Sequence, residues 1–113
     1  MSAIFLLDRE DVQAYDTWNV PGGLFFWVLD VIADRVRDEE LAAALREFLK
    51  GGYAWFALTY YTPDQAADIV RVIRTELKAV AEEESPSSSA RNEGLHRMVD
   101  ELVEMAERWH ATA

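Results

Sequence analysis

Apolar residues fall in stripes along most of this chain, and the stripes predict helices. Ala3-Ile4-Phe5-Leu6-Leu7 is a short apolar run that stops at Asp8-Arg9-Glu10-Asp11. Asp8 stands in an N-cap position with Asp11 three residues on, which predicts a short helix through about Tyr15, with Val12, Tyr15 and Trp18 toward one side. Asn19-Val20-Pro21-Gly22-Gly23 reads as a turn or loop. From Leu24 to Arg37, the residues Phe25, Val28, Leu29, Ile32 and Val36 recur at helical spacing and define one core face.

Leu41, Leu45 and Phe48 fall nearly opposite that stripe, and one straight helix cannot bury both. The chain is therefore expected to break near Asp38, a good N-cap, and to start a second helix from Glu39 to Lys50 that Gly51-Gly52 closes. The alternative is one long helix between two apolar layers. The aromatic segment Tyr53 to Tyr61 reads as a strand, a packed connection or a helical turn, and its only candidate strand partner is Ala3 to Leu7.

Thr62-Pro63-Asp64-Gln65 combines an N-cap threonine, a proline at the first helical position and a capping-box glutamine, so a helix begins there. Its stripe runs through Ala66, Ile69, Val70, Ile73, Leu77, Val80 and Ala81 before fraying into Glu82-Glu83-Glu84. Ser85-Pro86-Ser87-Ser88-Ser89 reads as a flexible polar loop. The final helix, about Ala90 to His110, gathers Leu95, Met98, Val99, Leu102, Met105, Ala106 and Trp109 into an arc of about 120°. The expectation is a mainly α, single-domain acidic helical bundle spanning 1–113, with four or five helices and room for a two-stranded β element from the Ile4 and Phe56 regions.

Composition narrows the function classes. With 21 acidic against 11 basic residues, a formal charge of -10, the chain would repel a nucleic-acid backbone or an anionic membrane, so neither is an expected partner. Zero cysteines removes disulfide frameworks, thiolate zinc sites and cysteine nucleophiles. The longest apolar run, Leu24 to Leu29, falls far short of the ~20 residues of a membrane span, and no basic segment precedes Ala3 to Leu7 as in a signal peptide. A soluble cytoplasmic protein is the expectation.

Candidate chemistry is sparse. Glu-x-x-His occurs at Glu93–His96 and Glu107–His110, a pattern that supplies metal ligands in di-iron bundles when it sits on facing helices. Here both copies lie on one expected helix, about 21 Å apart at the usual rise, so they read as solvated flank residues and no metal or cofactor is expected. The acidic pairs Asp8/Asp11, Asp30/Asp34, Glu39/Glu40 and Glu82 to Glu84 lack a calcium-loop spacing. Gly22-Gly23 lacks both the following lysine or hydroxyl residue and the preceding strand of a phosphate cradle, and the serines of the 85–89 loop have neither a nearby histidine nor an elbow motif. No enzymatic activity is expected.

The large aromatics are the informative feature. On a helical wheel Trp27 lies opposite the Phe25, Val28, Leu29, Ile32 face and beside Asp30 and Asp34, an arrangement that fits a hot spot for a partner with apolar and basic groups. The competing reading packs Trp27 under the aromatic segment. Tyr60 and Tyr61 join Trp27, Asp30 and Asp34 as candidate partner-binding residues, since adjacent residues of a strand cannot both face one core. The expected function is a small acidic, non-catalytic protein that binds a basic protein partner. In size, acidity and lack of a catalytic motif it looks like a toxin-neutralising immunity protein or an inhibitor. The alternative is a self-associating helical module, a homodimer serving a larger assembly, and behind it a carboxylate/His metal protein or enzyme using His96 or His110.

Overall fold

The N-terminal segment is a β-hairpin, where the sequence reading places a short helix. In the structure, a computed structural model that describes residues 1–112, strand β1 (Ser2–Arg9) pairs antiparallel with β2 (Val12–Pro21) across Glu10-Asp11. Trp18 and Val20 are buried while Thr17 and Asn19, which alternate with them, are exposed, the two-residue period of a half-covered strand. Asp8 caps no helix. Its carboxylate accepts from the Thr59 N–H at 3.1 Å and the Thr59 Oγ at 2.7 Å, tying β1 to a distant segment. The expected loop at 19–23 is likewise replaced, because Asn19, Val20 and Pro21 complete β2 and helix α1 (Gly22–Arg35) follows directly.

β3 (Trp55–Ala57) runs parallel to β1 with Ile4, Phe5 and Leu6 opposite Trp55, Phe56 and Ala57. The expected contact between the Ile4 and Phe56 regions is present, but the sheet has three strands in the order β2-β1-β3. The molecule is mainly helical beside a small mixed sheet, and a plain helical bundle is excluded. β2 returns the chain to the end where β1 starts, so after α1 and α2 (Glu39–Gly51) β3 can run parallel to β1.

The local helix signals hold. Asp38 accepts from the N–H groups of Glu40 and Leu41 and separates α1 from α2, which rules out one long helix; Gly52 at φ 67 closes α2. Thr62 and Gln65 form the capping box of α3 (Pro63–Thr75). That helix does not continue to the glutamates. At Glu76 the backbone leaves helical geometry, with φ -127, and α4 (Leu77–Glu84) starts beyond it. The Glu76 carboxylate accepts from Arg35 at 3.1 Å and Arg71 at 2.9 Å, so the break is held from outside the helix. Helix α5 (Glu93–Ala111) is preceded by a 3-10 turn, Ala90–Asn92, and buries Val99, Leu102, Ala106 and Trp109.

α1 is apolar nearly all round because it is packed nearly all round, against α2, α3, α4 and the sheet. The inner sheet face (Ala3, Phe5, Leu7, Trp18, Val20, Phe56) joins the helices in one core cluster. Two tryptophan N–H groups lock α5 to the hairpin: Trp18 Nε1 donates to the Met98 carbonyl at 2.9 Å and Trp109 Nε1 to that of Asp8 at 3.1 Å. The Ser85–Ser89 connection is tied back by the Ser87 N–H and Oγ, which both donate to Glu82, and by His96 Nε2, 2.6 Å from the Ser85 carbonyl. Among the described residues no helix is long and apolar enough to cross a membrane.

Candidate protein-binding surface

The most exposed aromatic cluster is built around Phe56. Its ring sits at full burial, 4.8 Å from the Phe5 ring centroid, 5.1 Å from Phe48 and 5.7 Å from Tyr61. Strand alternation then sends its neighbour Trp55 to the opposite sheet face, where Trp55 is 52% exposed. The 3-10 turn Leu58–Tyr60 ends between two adjacent tyrosines and sends them apart. Tyr61 stays half-buried against Phe56, and burial pushes its phenol above its ordinary pKa; Tyr60 turns outward at 55% exposure.

Tyr53 enters from the other side, where the left-handed Gly52 reverses the chain after α2. Its ring lies directly over Gly51, where a Cβ would meet the ring at 2.2 Å, and 5.5 Å from the Phe48 centroid. Tyr53 is nonetheless 60% exposed. Phe48, Tyr53, Ala54, Trp55 and Tyr60 together line a shallow depression of about 430 Å³. Glu47 lies next to Phe48 on α2, and Asp64, exposed in the first turn of α3, lies four residues beyond Tyr60.

The α1 candidates occupy a different groove, of about 530 Å³, lined by Phe26, Trp27, Asp30, Arg46, Leu49 and Lys50. Trp27 is half-buried, and its Nε1 donates to Glu84 at 3.3 Å. Asp30 and Asp34 both accept from Arg46, the first at 2.7 Å. The hydrogen bond to Asp30 and the charges of both carboxylates raise the Arg46 pKa against the opposing pull of burial. Both carboxylates are thus paired within the chain while staying more than half exposed. Trp27 packs against the core and lies outside the aromatic depression, so neither reading of its surroundings describes it fully.

Of the five candidate residues, only Tyr60 falls in the aromatic depression. Tyr53, Trp55 and Phe48 are the members sequence reasoning passed over. Alternation within 55–57 was the available signal, but it becomes readable only when Phe56 is known to face inward. Among the described residues no three His, Asp or Glu side chains come close enough to hold a metal ion. His96 lies 3.8 Å from Glu82 and against the Ser85 carbonyl, and His110 is exposed near the end of α5. Protein-family models, curated proteins and solved structures contain no match to this chain.

Proposed function

We propose that this chain is a small acidic, non-catalytic protein that docks a basic protein partner through Tyr53, Trp55 and Tyr60, masking it as an immunity protein or inhibitor does. One observation carries the reading: of the four strongly exposed aromatics, three converge on one depression. Rigid aromatic rings give large contact area at low entropic cost, which makes them the commonest interface anchors. The charge supports the sign of the partner. Seven of the 11 Lys and Arg residues are ion-paired inside the chain, leaving the acidic excess to set the outer field and steer encounter.

The test is capture from a low-salt extract of the source organism on the immobilised chain, then affinity measurement with the purified captured protein. The expected result is one basic protein at 1:1 stoichiometry, its affinity falling at least about tenfold with Trp55→Ala. Added salt should weaken it further, while Trp27→Ala should change it little. Capture of nothing, or a partner indifferent to both Trp55→Ala and Tyr60→Ala, overturns the proposal.

A further inference from the structure

The opposite edge of the sheet is the unpaired side of β2. Gly22 N–H donates to the Met1 carbonyl at 3.0 Å, which marks Met1 and Gly22 as a hydrogen-bonded pair of the antiparallel ladder. Such pairs alternate, so Ala3–Val20, Phe5–Trp18 and Leu7–Asp16 are of the same kind. Thr17 and Asn19 therefore turn their N–H and C=O groups away from β1. An independent bond confirms the phase: Ile4, opposite Asn19, donates its N–H to Ala54 on the β3 side at 2.8 Å. Among the described residues the main-chain groups of Thr17 and Asn19 have no hydrogen-bond partner.

This edge lacks the usual protection. Sheet edges are normally blunted by charges, prolines or very short strands. β2 has ten residues, its proline is the last of them, and its only charge, Asp16, is clamped by Arg108 through Nε at 3.1 Å and Nη2 at 3.0 Å. The bulge lies at the far end, between Leu7 and Arg9, and leaves 16–21 regular.

We infer that β2 pairs antiparallel with β2 of a second copy, joining two sheets into one of six strands about a twofold axis at Trp18. Thr17 then stands opposite Asn19 of the second copy and exchanges both backbone bonds with it. Exposed Tyr15 lies against Pro21 of the second copy. Charge selects this occupant. A basic partner finds no free carboxylate along Thr17 to Pro21, whereas two copies of net charge -10 can approach only where no unpaired charge stands in the contact, as here, with Asp16 held by Arg108. An antiparallel strand is also its own complement under twofold symmetry, the usual symmetry of soluble dimers. The contact is small, which predicts a dimer in the micromolar range.

Sedimentation equilibrium of the full chain, from about 10 to 500 µM, tests this. The expected result is a reversible monomer–dimer equilibrium. Asn19→Pro removes only an outward N–H, a position where edge strands accept proline, and should weaken the dimer at least tenfold with an unchanged circular dichroism spectrum. Should that variant unfold, two double variants decide the matter. Thr17→Glu with Asn19→Glu sets like charges opposite one another and should abolish the dimer; Thr17→Lys with Asn19→Glu sets opposite charges in register and should restore it. A monomer throughout the range overturns the inference, as does a dimer that neither Asn19→Pro nor the Glu pair disturbs. A dimer weakened instead by Trp55→Ala would place self-association on the aromatic depression, and so also bears against this edge.

Discussion

The two faces of the three-stranded sheet use the same alternating pattern to different ends. On the inner face Phe5, Trp18 and Phe56 are at most 1% exposed and belong to the core with α1 and α5. On the outer face Ile4, Leu6, Trp55 and Ala57 stand outside that cluster, and Thr17 and Asn19 complete an uncharged surface. Leu6 and Ala57 on that face are nonetheless buried, whereas Trp55 is 52% exposed. Side chains of similar hydrophobicity thus become structural or available according to what packs over them. A polar version of the contrast holds among the charges: Asp68 is an inward hub, whereas the Arg46 pairs with Asp30 and Asp34 lie at the surface.

The sharpest way to break the comparison is at the inner face. Trp18→Ala should cost about 4 kcal/mol, since it empties a large buried site and releases the Met98 carbonyl. Urea unfolding measures it, and a loss under about 1 kcal/mol would mean the inner face is not the packed one.

Asp68→Asn comes next. Burial works to raise the Asp68 pKa, but hydrogen bonds from Arg71 and from the N–H groups of Arg37 and Asp38 outweigh it and hold the carboxyl below its ordinary 3.8. Glu76 is lowered in the same way by Arg71 and Arg35 against its own desolvation. A depressed carboxyl stabilises the fold above its unfolded pKa and loses that contribution as pH falls through its folded value. Asp68→Asn should therefore cost about 2 kcal/mol at pH 7, and its gap from the parent should close on acidification toward pH 2. A gap of constant size between those pH values would refute the linkage.

Arg46→Met sharpens the surface side. Both of its carboxylate partners are more than half exposed, so the change should cost less than about 1 kcal/mol, and salt should shrink the difference further. The smallest stability effect belongs to Trp55→Ala, within about 0.5 kcal/mol by thermal melting, although the same variant is expected to bind the partner at least about tenfold more weakly. A large loss of stability there would show that the outer face serves the fold.

The caps of α2 and α3 were legible because Asp38, Gly52 and Thr62 satisfy groups within four residues of themselves. The buried stripes of α3, α4 and α5 were legible for the same local reason, a fixed helical period. The hairpin escapes a local reading because Asp8-Arg9-Glu10-Asp11 carries the spacing of an N-cap, while the group Asp8 satisfies is Thr59, 51 residues away. Trp27 was placed on the exposed side of α1 by its helical angle alone, and Glu84 and Arg46, which engage it and its neighbouring carboxylates, come from other elements.

By itself the sequence determined where α2 and α3 start, which stripes the later helices bury, and the net acidity, because each follows from neighbours in the chain or from a sum over it. Only the tertiary structure decided that Trp27 is partnered and Trp55 is bare, and that β2 ends the sheet with Thr17 and Asn19 turned outward. Exposure and strand order depend on which distant segments meet, and no local period encodes that.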